Sequence, residues 1–286
     1  MFADSPPWIN VAVVTLGRED VLLDCLDDIF AQSYDRFDVT VVDQNPSLDP
    51  RLLERAKKFP ERLQVLHMLP PHTCNARNLA ITNTSGDVLV FVDDDTRFGP
   101  EFLRSYSKSF NSSKIGGIAG WIDATDPVFA WHPETGTVLA AIGCNMAFRR
   151  DVIEEVGGWD ANFVAPFFHG EETEFASRVT RAGYEIRICS EALLFHARHI
   201  TGGVRPVKKP EYWHSYISNQ SLFFRKSRPI WQRLLGPIWL LKLWFTVRRL
   251  GGGMVSVGGF ARAASRGFAL ARKSLKTKSF LISPEA

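Results

Sequence analysis

Asp93, Asp94 and Asp95 stand side by side in the segment FVDDDT. Three adjacent carboxylates repel one another, and they follow DVLVFV, a run apolar enough to be buried. A cation that joins them makes such a cluster tolerable. Closely spaced aspartates at a strand end offer hard oxygen donors, the kind of site that suits Mg2+ or Mn2+. Such ions are usually held by one or two carboxylates, which leaves positions for water and phosphate oxygens. A divalent ion so placed neutralises a diphosphate and stabilises it as a leaving group. An Asp-x-Asp pair alone is common on surfaces; its place after a buried strand gives it weight. Just upstream, NARNLA carries Arg77, which can pair with a phosphate or lie against a base.

The elements that must position these groups follow from the apolar pattern. WINVAVVT (8–15), FDVTVVD (37–43), RLQVLHM (62–68) and DVLVFV (87–92) are short, apolar and rich in β-branched residues, as buried strands are. Between them, Leu22, Leu26, Ile29 and Phe30 fall at helical spacing, and 49–59, 75–84 and 100–110 are expected to be helices. Strands alternating with helices predict an α/β fold with a mostly parallel sheet. Ligands collect beyond the carboxyl ends of strands in such sheets. Thr15, Asp43 and Asp93–Asp95 all stand there.

The second half is less regular. TVLAAIGCNMAFRR (137–150) is an apolar run interrupted by Gly-Cys-Asn, VGGWD (156–160) reads as a turn, and EETEFASRVTRAG (171–183) reads as a helix that acids open and Gly183 ends. YEIRIC and ALLFH look like two short strands. Internal repeats and low-complexity segments are absent.

Charge divides the 286 residues. Residues 1–205 hold 19 Lys/Arg against 29 Asp/Glu, whereas 206–286 hold 15 against two, so the net charge of +3 hides an acidic body and a basic tail. That split predicts an acidic body over 1–205 and a helical, basic, amphipathic C-terminal region over 206–286 that meets an anionic surface. WQRLLGPIWLLKLWFTVRRL (231–250) mixes tryptophans and leucines with Arg233, Lys242, Arg248 and Arg249, and Pro237 should break its helix early. Such a helix suits the membrane interface. Packing on the body and a homodimer interface are the alternatives. A nucleic-acid partner is not expected, because no nucleic-acid motif accompanies the charge. No stretch offers 18 charge-free apolar residues, so a spanning helix is not expected. Four widely spaced cysteines and an N-terminus without a basic and apolar leader point to a cytoplasmic protein, peripheral on the inner face of the cell membrane.

Thr15 with Arg18 (VVTLGRED), Asp43 (VVDQN), NARNLA, FVDDDT, GCNMAFRR, VGGWD, HGEETEF and LLFH occur in the order seen in inverting family-2 glycosyltransferases, and over about residues 8–205 the chain resembles that family. The resemblance implies a GT-A fold and metal-dependent transfer of a sugar from a nucleotide-diphosphate donor to a hydroxyl of a glycan or lipid-linked acceptor, as in cell-envelope polysaccharide or glycolipid synthesis. It implies that Thr15, Arg18, Asp43, Arg77, Asp93 and Asp94 serve the nucleotide-sugar, with Asp43 facing the base. Asp95, Asp93 and His196 would hold Mg2+ or Mn2+, with His199 a weaker substitute for His196. Arg205 in TGGVR would reach the diphosphate. The family's acid-Asp pair near a helix start reads Glu171-Glu172 here, one methylene longer, and either could be the base, with Glu172 the first choice. Trp159 and Asp160 would contact the acceptor. A nucleotide-sugar-binding protein without turnover and a nucleotidyltransferase are the other readings. The latter is expected to carry a Gly-rich basic loop after the first strand, where TLGRED has one glycine.

Overall fold

In the computed structural model the described residues are 5–122, 143–197, 202 and 209–281. The first half follows the expected alternation: β1 Ile9–Thr15, α1 Glu19–Phe30, β2 Phe37–Asp43, α2 Pro50–Lys58, β3 Leu63–His67, α3 Thr73–Thr82 and β4 Val88–Asp93. Helix starts are written locally. Asp49 accepts the Arg51 N–H at 2.8 Å ahead of α2, whose first residue is Pro50, and the His72 ring accepts the Asn75 N–H at 3.2 Å ahead of α3.

Then come β5 Thr96–Phe98, α4 Phe102–Ser109, β6 Ile115–Ile122, β7 Asn145–Arg149, α5 Arg150–Val156, α6 Glu171–Arg181 and β8 Glu185–His196. The eight strands form one sheet in the order β3-β2-β1-β4-β7-β6-β8-β5. Four of its seven pairings are parallel, and those of β7 with β4 and β6 and of β5 with β8 are antiparallel.

Both faces of the sheet are covered, which is why its strands read as continuous apolar runs. Val11 and Val13 of β1 join Val88, Val90 and Val92 of β4 in the cluster under α1 and α4, with Leu22, Leu26, Ile29, Phe102 and Tyr106. Ala12, Leu89 and Phe91 point to the opposite cluster, with Met146, Phe148, Trp159 and Phe175.

Two elements differ from expectation. The expected pair of strands 184–189 and 192–196 is the single strand β8. Its register against β6 jumps from Gly120↔Cys189 to Trp121↔Leu193, so Ser190–Ala192 bulge out. The Asn145 amide fills the gap, donating to Trp121 O and Ala192 O at 2.9 Å each. β6 itself (IGGIAGWI) carried no strand signal, because three glycines dilute it. A Cβ at Gly117 would overlap the Phe148 ring, and one at Gly120 would overlap the Asn145 side chain. These glycines allow close approach inside the sheet.

The C-terminal region is helical: α7 Pro210–Ser227, α8 Ile230–Arg233, α9 Gly236–Arg249 and α10 Val257–Ser274. Pro237 separates α8 from α9 by taking the first turn of α9. The charge boundary near residue 205 is not a boundary in packing. Leu222 of α7 and Ala271 of α10 belong to the same cluster as Trp159 and Phe175. The Asn219 side chain is bonded to the Val164 N–H, Val164 O and Phe167 O at 2.8–2.9 Å. α7 and α10 cross closely at Gly267, where a Cβ would overlap the Ser218 carbonyl. Beyond α10, the Phe280 N–H donates to Gly157 O at 2.7 Å.

Candidate active site

The triple aspartate is the tight turn between β4 and β5, and its three side chains have three environments. Asp94 points inward, and its carboxylate accepts from Thr15 Oγ1 at 2.7 Å and from Arg18 Nη1 at 2.8 Å. Burial pushes the Asp94 carboxyl up to about 6, although Arg18 and Thr15 pull it down. Asp95 is also buried. Its Oδ2 lies 3.1 Å from Arg18 Nη1 and its Oδ1 lies 3.0 Å from His196 Nε2. Asp93 is the open member, with its side chain 41% exposed and one oxygen 3.9 Å from His196 Nε2.

Sheet pairing supplies these neighbours. Thr15 ends β1 beside β4, and Thr96 of β5 pairs with His196 of β8, which delivers the imidazole to the turn. Part of the cationic charge demanded by three acids is therefore a side chain of the chain itself, Arg18. Asp94 was expected to contact a donor, but it is buried and bonded to Thr15 and to the part-buried Arg18, so the Arg18–Asp94 pair shapes the turn.

Asp93, Asp95 and His196 can each turn one donor atom to within 4.8 Å of the other two. Two carboxylate oxygens and an imidazole nitrogen on one side of a turn fit a divalent ion such as Mg2+ or Mn2+. With three protein donors among the described residues, coordination positions remain for an anionic ligand.

Across the site, the N-terminus of α6 presents the two glutamates, after Gly170 in the left-handed region (φ 92°). Glu171 is buried, and burial followed by the charge of Glu172 pushes it up to about 8, with Arg77 opposing. The Glu172 side chain is 28% exposed, and its Oε1 lies 3.3 Å from Arg77 Nη2. Arg77 Nη1 is 3.6 Å from Glu171 Oε1 and donates no hydrogen bond, although it is buried. A buried donor of this kind is rare and invites an acceptor. Arg77 and Glu172 both act electrostatically on Asp93, so the glutamate pair and the aspartate turn belong to one site.

Sequence reasoning gave Gly143 no role. A Cβ there would overlap both Glu172 Oε1 and Arg77 Nη2, so glycine is what lets these groups meet. The polar interruption Gly-Cys-Asn in an apolar run was its signal. Asn45, after β2, was also missed. Its Oδ1 accepts the Gly17 N–H at 2.7 Å, while its Nδ2 is buried with no partner. Asp43 is buried beside it and accepts the Asn45 N–H at 2.7 Å.

Two expectations fail on burial. Trp159 has no exposed surface and stacks on Phe175 with centroids 3.9 Å apart, so it builds the core rather than facing an acceptor. Asp160 is equally buried and pairs with Lys226 of α7 at 2.8 Å, with Ser274 of α10 also bonded to it. The carboxylate that ends VGGWD thus locks the C-terminal helices to the body. Arg205 and His199 lie outside the described residues, as does most of TGGVR. Gly202 of that segment is described, and it packs against Gly17.

A model of glycosyl transferase family 2 matches residues 10–132, which contain β1 to β6 and the aspartate turn. Over those residues the chain is similar to this family. It is 24% identical over 267 residues to the probable glycosyltransferase YdaM of Bacillus subtilis, an alignment that covers 82% of this chain and 59% of YdaM. The chain thus spans well under two thirds of that relative. Among solved structures it resembles the mannosyltransferase PcManGT of Pyrobaculum calidifontis in complex with GDP-Man and Mn2+, with a TM-score of 0.60 and 17% identity, covering 96% of this chain and 88% of that one. It also resembles GalNAc-T7 with UDP, GalNAc and Mn2+, with a TM-score of 0.64 and 12% identity, covering 78% and 51%. At these identities the likeness is one of fold, and the mixed α/β sheet has the GT-A fold of these neighbours.

Proposed function

We propose that the protein transfers a sugar from a nucleoside-diphosphate donor to a hydroxyl of a glycan or lipid-linked acceptor, with inversion. One observation carries the reading: a water-accessible carboxylate, Glu172, faces an open aspartate turn across a site that holds the buried, underused guanidinium of Arg77. Asp93, Asp95 and His196 would hold Mg2+ or Mn2+, and a bound ion there supplies charge neutralisation for a departing diphosphate. Two fold neighbours are described with Mn2+ and a nucleotide or nucleotide-sugar, which favours this use of the turn.

The chain's own groups divide the remaining work. Arg77 Nη1 donates to a diphosphate oxygen. Thr15 and Asp43, at adjacent strand ends in register, border the nucleoside with Asn45. Glu172 takes the acceptor's proton as the acceptor oxygen bonds to the anomeric carbon. The anomeric C–O bond breaks on the opposite face, and its electron pair leaves with the nucleoside diphosphate. Glu171 is the less accessible of the two, because it is buried while Glu172 meets solvent.

The test is Glu172→Gln, assayed with a labelled nucleotide-sugar panel. Transfer should fall by about 10²–10⁴, the worth of a positioned base, with donor affinity retained. Full activity in this variant removes Glu172 from the scheme. Release of pyrophosphate instead of a nucleoside diphosphate would make the protein a nucleotidyltransferase, and donor binding without turnover would make it a binding protein.

A further inference from the structure

Helices α8 and α9 carry an apolar ridge that nothing among the described residues covers. On α9 the inward side is spent on packing: Leu243 and Val247 are buried, Trp239 stacks on Phe224, and Trp244 meets Phe260 edge-on. The opposite side presents Ile238, Leu241 and Phe245, three and four residues apart and 68%, 58% and 63% exposed. Ile230, Trp231, Leu234 and Leu235 continue the exposed apolar surface along and after α8. At 100° per residue, Lys242 and Arg249 fall on one flank of the α9 ridge and Arg248 on the other.

Charge selects the occupant. Residues 209–281 hold 14 Lys/Arg and one acid, Glu211. A second copy meeting this face two-fold would set cations against cations. A nucleic acid would satisfy the cations and leave the Ile-Leu-Phe ridge in water. An anionic bilayer satisfies both, because apolar side chains enter the acyl boundary while flanking Lys and Arg reach phosphate headgroups. No helix among the described residues is long and apolar enough to cross a membrane, so the contact is one of lying on the surface.

We infer that α8 and α9 form a docking surface for an anionic lipid bilayer, with Ile238, Leu241 and Phe245 inserting and Lys242, Arg248 and Arg249 binding headgroups. The inference stands on these helices alone and does not depend on the reaction the body performs. Because α7 and α10 lock the helical region to the body, docking would hold the catalytic turn at a set height above the lipid.

Cosedimentation of the full chain with phosphatidylcholine vesicles, with or without about one third phosphatidylglycerol, tests this. Binding is expected to the anionic vesicles and is expected to weaken with added salt. The double variant Leu241→Glu/Phe245→Glu should lower the partition coefficient at least about tenfold. Lys242→Gln/Arg248→Gln/Arg249→Gln should lower it about a hundredfold at low salt, roughly fivefold per cation. All five substituted residues are exposed, and circular dichroism checks that each variant folds; if the glutamate variant does not, the glutamine variant decides. Failure to bind anionic vesicles overturns the inference, as does binding that neither variant changes. A concentration-dependent dimer dispersed by the glutamate variant would assign the ridge to a second copy, and salt-sensitive binding of single-stranded DNA without vesicle binding would assign the face to nucleic acid.

Discussion

Lys226 offers the sharpest test of how the basic region is joined to the body. Its ammonium is buried and sits 2.8 Å from Asp160 Oδ2 and 2.8 Å from Glu174 Oε1. Lys226→Met keeps the apolar stem and removes the charge. Glu174 retains Arg178 at 3.0 Å, whereas Asp160 retains only neutral donors, among them Ser274 and the Asn162 amide. Breaking a buried pair from one side strands a desolvated charge, which costs about 3–5 kcal/mol. The pH dependence follows from Asp160. Burial alone would raise its carboxyl, but Lys226 and the hydrogen bonds outweigh burial and hold it below the ordinary value near 3.8. In the wild type, this stabilisation is present above the ordinary value and is lost as pH falls through the depressed folded value. In the variant, burial dominates, so the Asp160 carboxyl rises and ionising it near neutrality opposes folding. The penalty of Lys226→Met should therefore be greatest near pH 7 and shrink toward pH 4. Urea unfolding of both proteins across that range measures it, and a double cycle with Asp160→Asn should show coupling above about 1 kcal/mol. A penalty below about 1 kcal/mol at neutral pH, or one that is flat with pH, would refute the buried-anchor account.

Two further variants probe the site. Gly143→Ala places a methyl where Glu172 Oε1 and Arg77 Nη2 meet; both are ends of flexible side chains, so the fold should survive while turnover falls about a hundredfold through a misplaced base, read as kcat against donor affinity. Arg18→Met removes the guanidinium 2.8 Å from Asp94 and 3.1 Å from Asp95. The acids then lack their built-in partner, so melting should drop in chelator and rise more with Mn2+ than in the wild type, by up to about 2.7 kcal/mol at a hundredfold excess over Kd. An unchanged metal response in differential scanning fluorimetry would show that Arg18 does not balance the turn.

Much of the first half was legible because its signals are local. Four apolar β-branched runs separated by helical spacing and cap residues such as Asp49 dictate alternating strands and helices, and strand ends then place Thr15, Asp43 and Asp93–Asp95 on one side. Family order in the motifs singled out Glu171, Glu172 and His196 before any distance was known. The strand β6 was hidden because glycines chosen for close approach erase the propensity that announces a strand, and β8 read as two strands because a bulge interrupts it.

What each polar residue faces was decided only by tertiary packing. Asp93, Asp94 and Asp95 are chemically identical, and the turn makes one open and two buried, with Arg18 brought from another loop as counter-ion. Trp159 and Asp160 looked like acceptor contacts because aromatic and acidic residues in a turn carry no sign of burial. Helices some 60–110 residues further along the chain enclose them. Lys226 was one cation among 15 in the tail until α7 carried it beneath the body. The amino-acid sequence sets which chemistry is available, because residue type and local period are written along the chain; which groups keep water and which give it up depends on contacts between distant segments, and those exist only once the chain has folded.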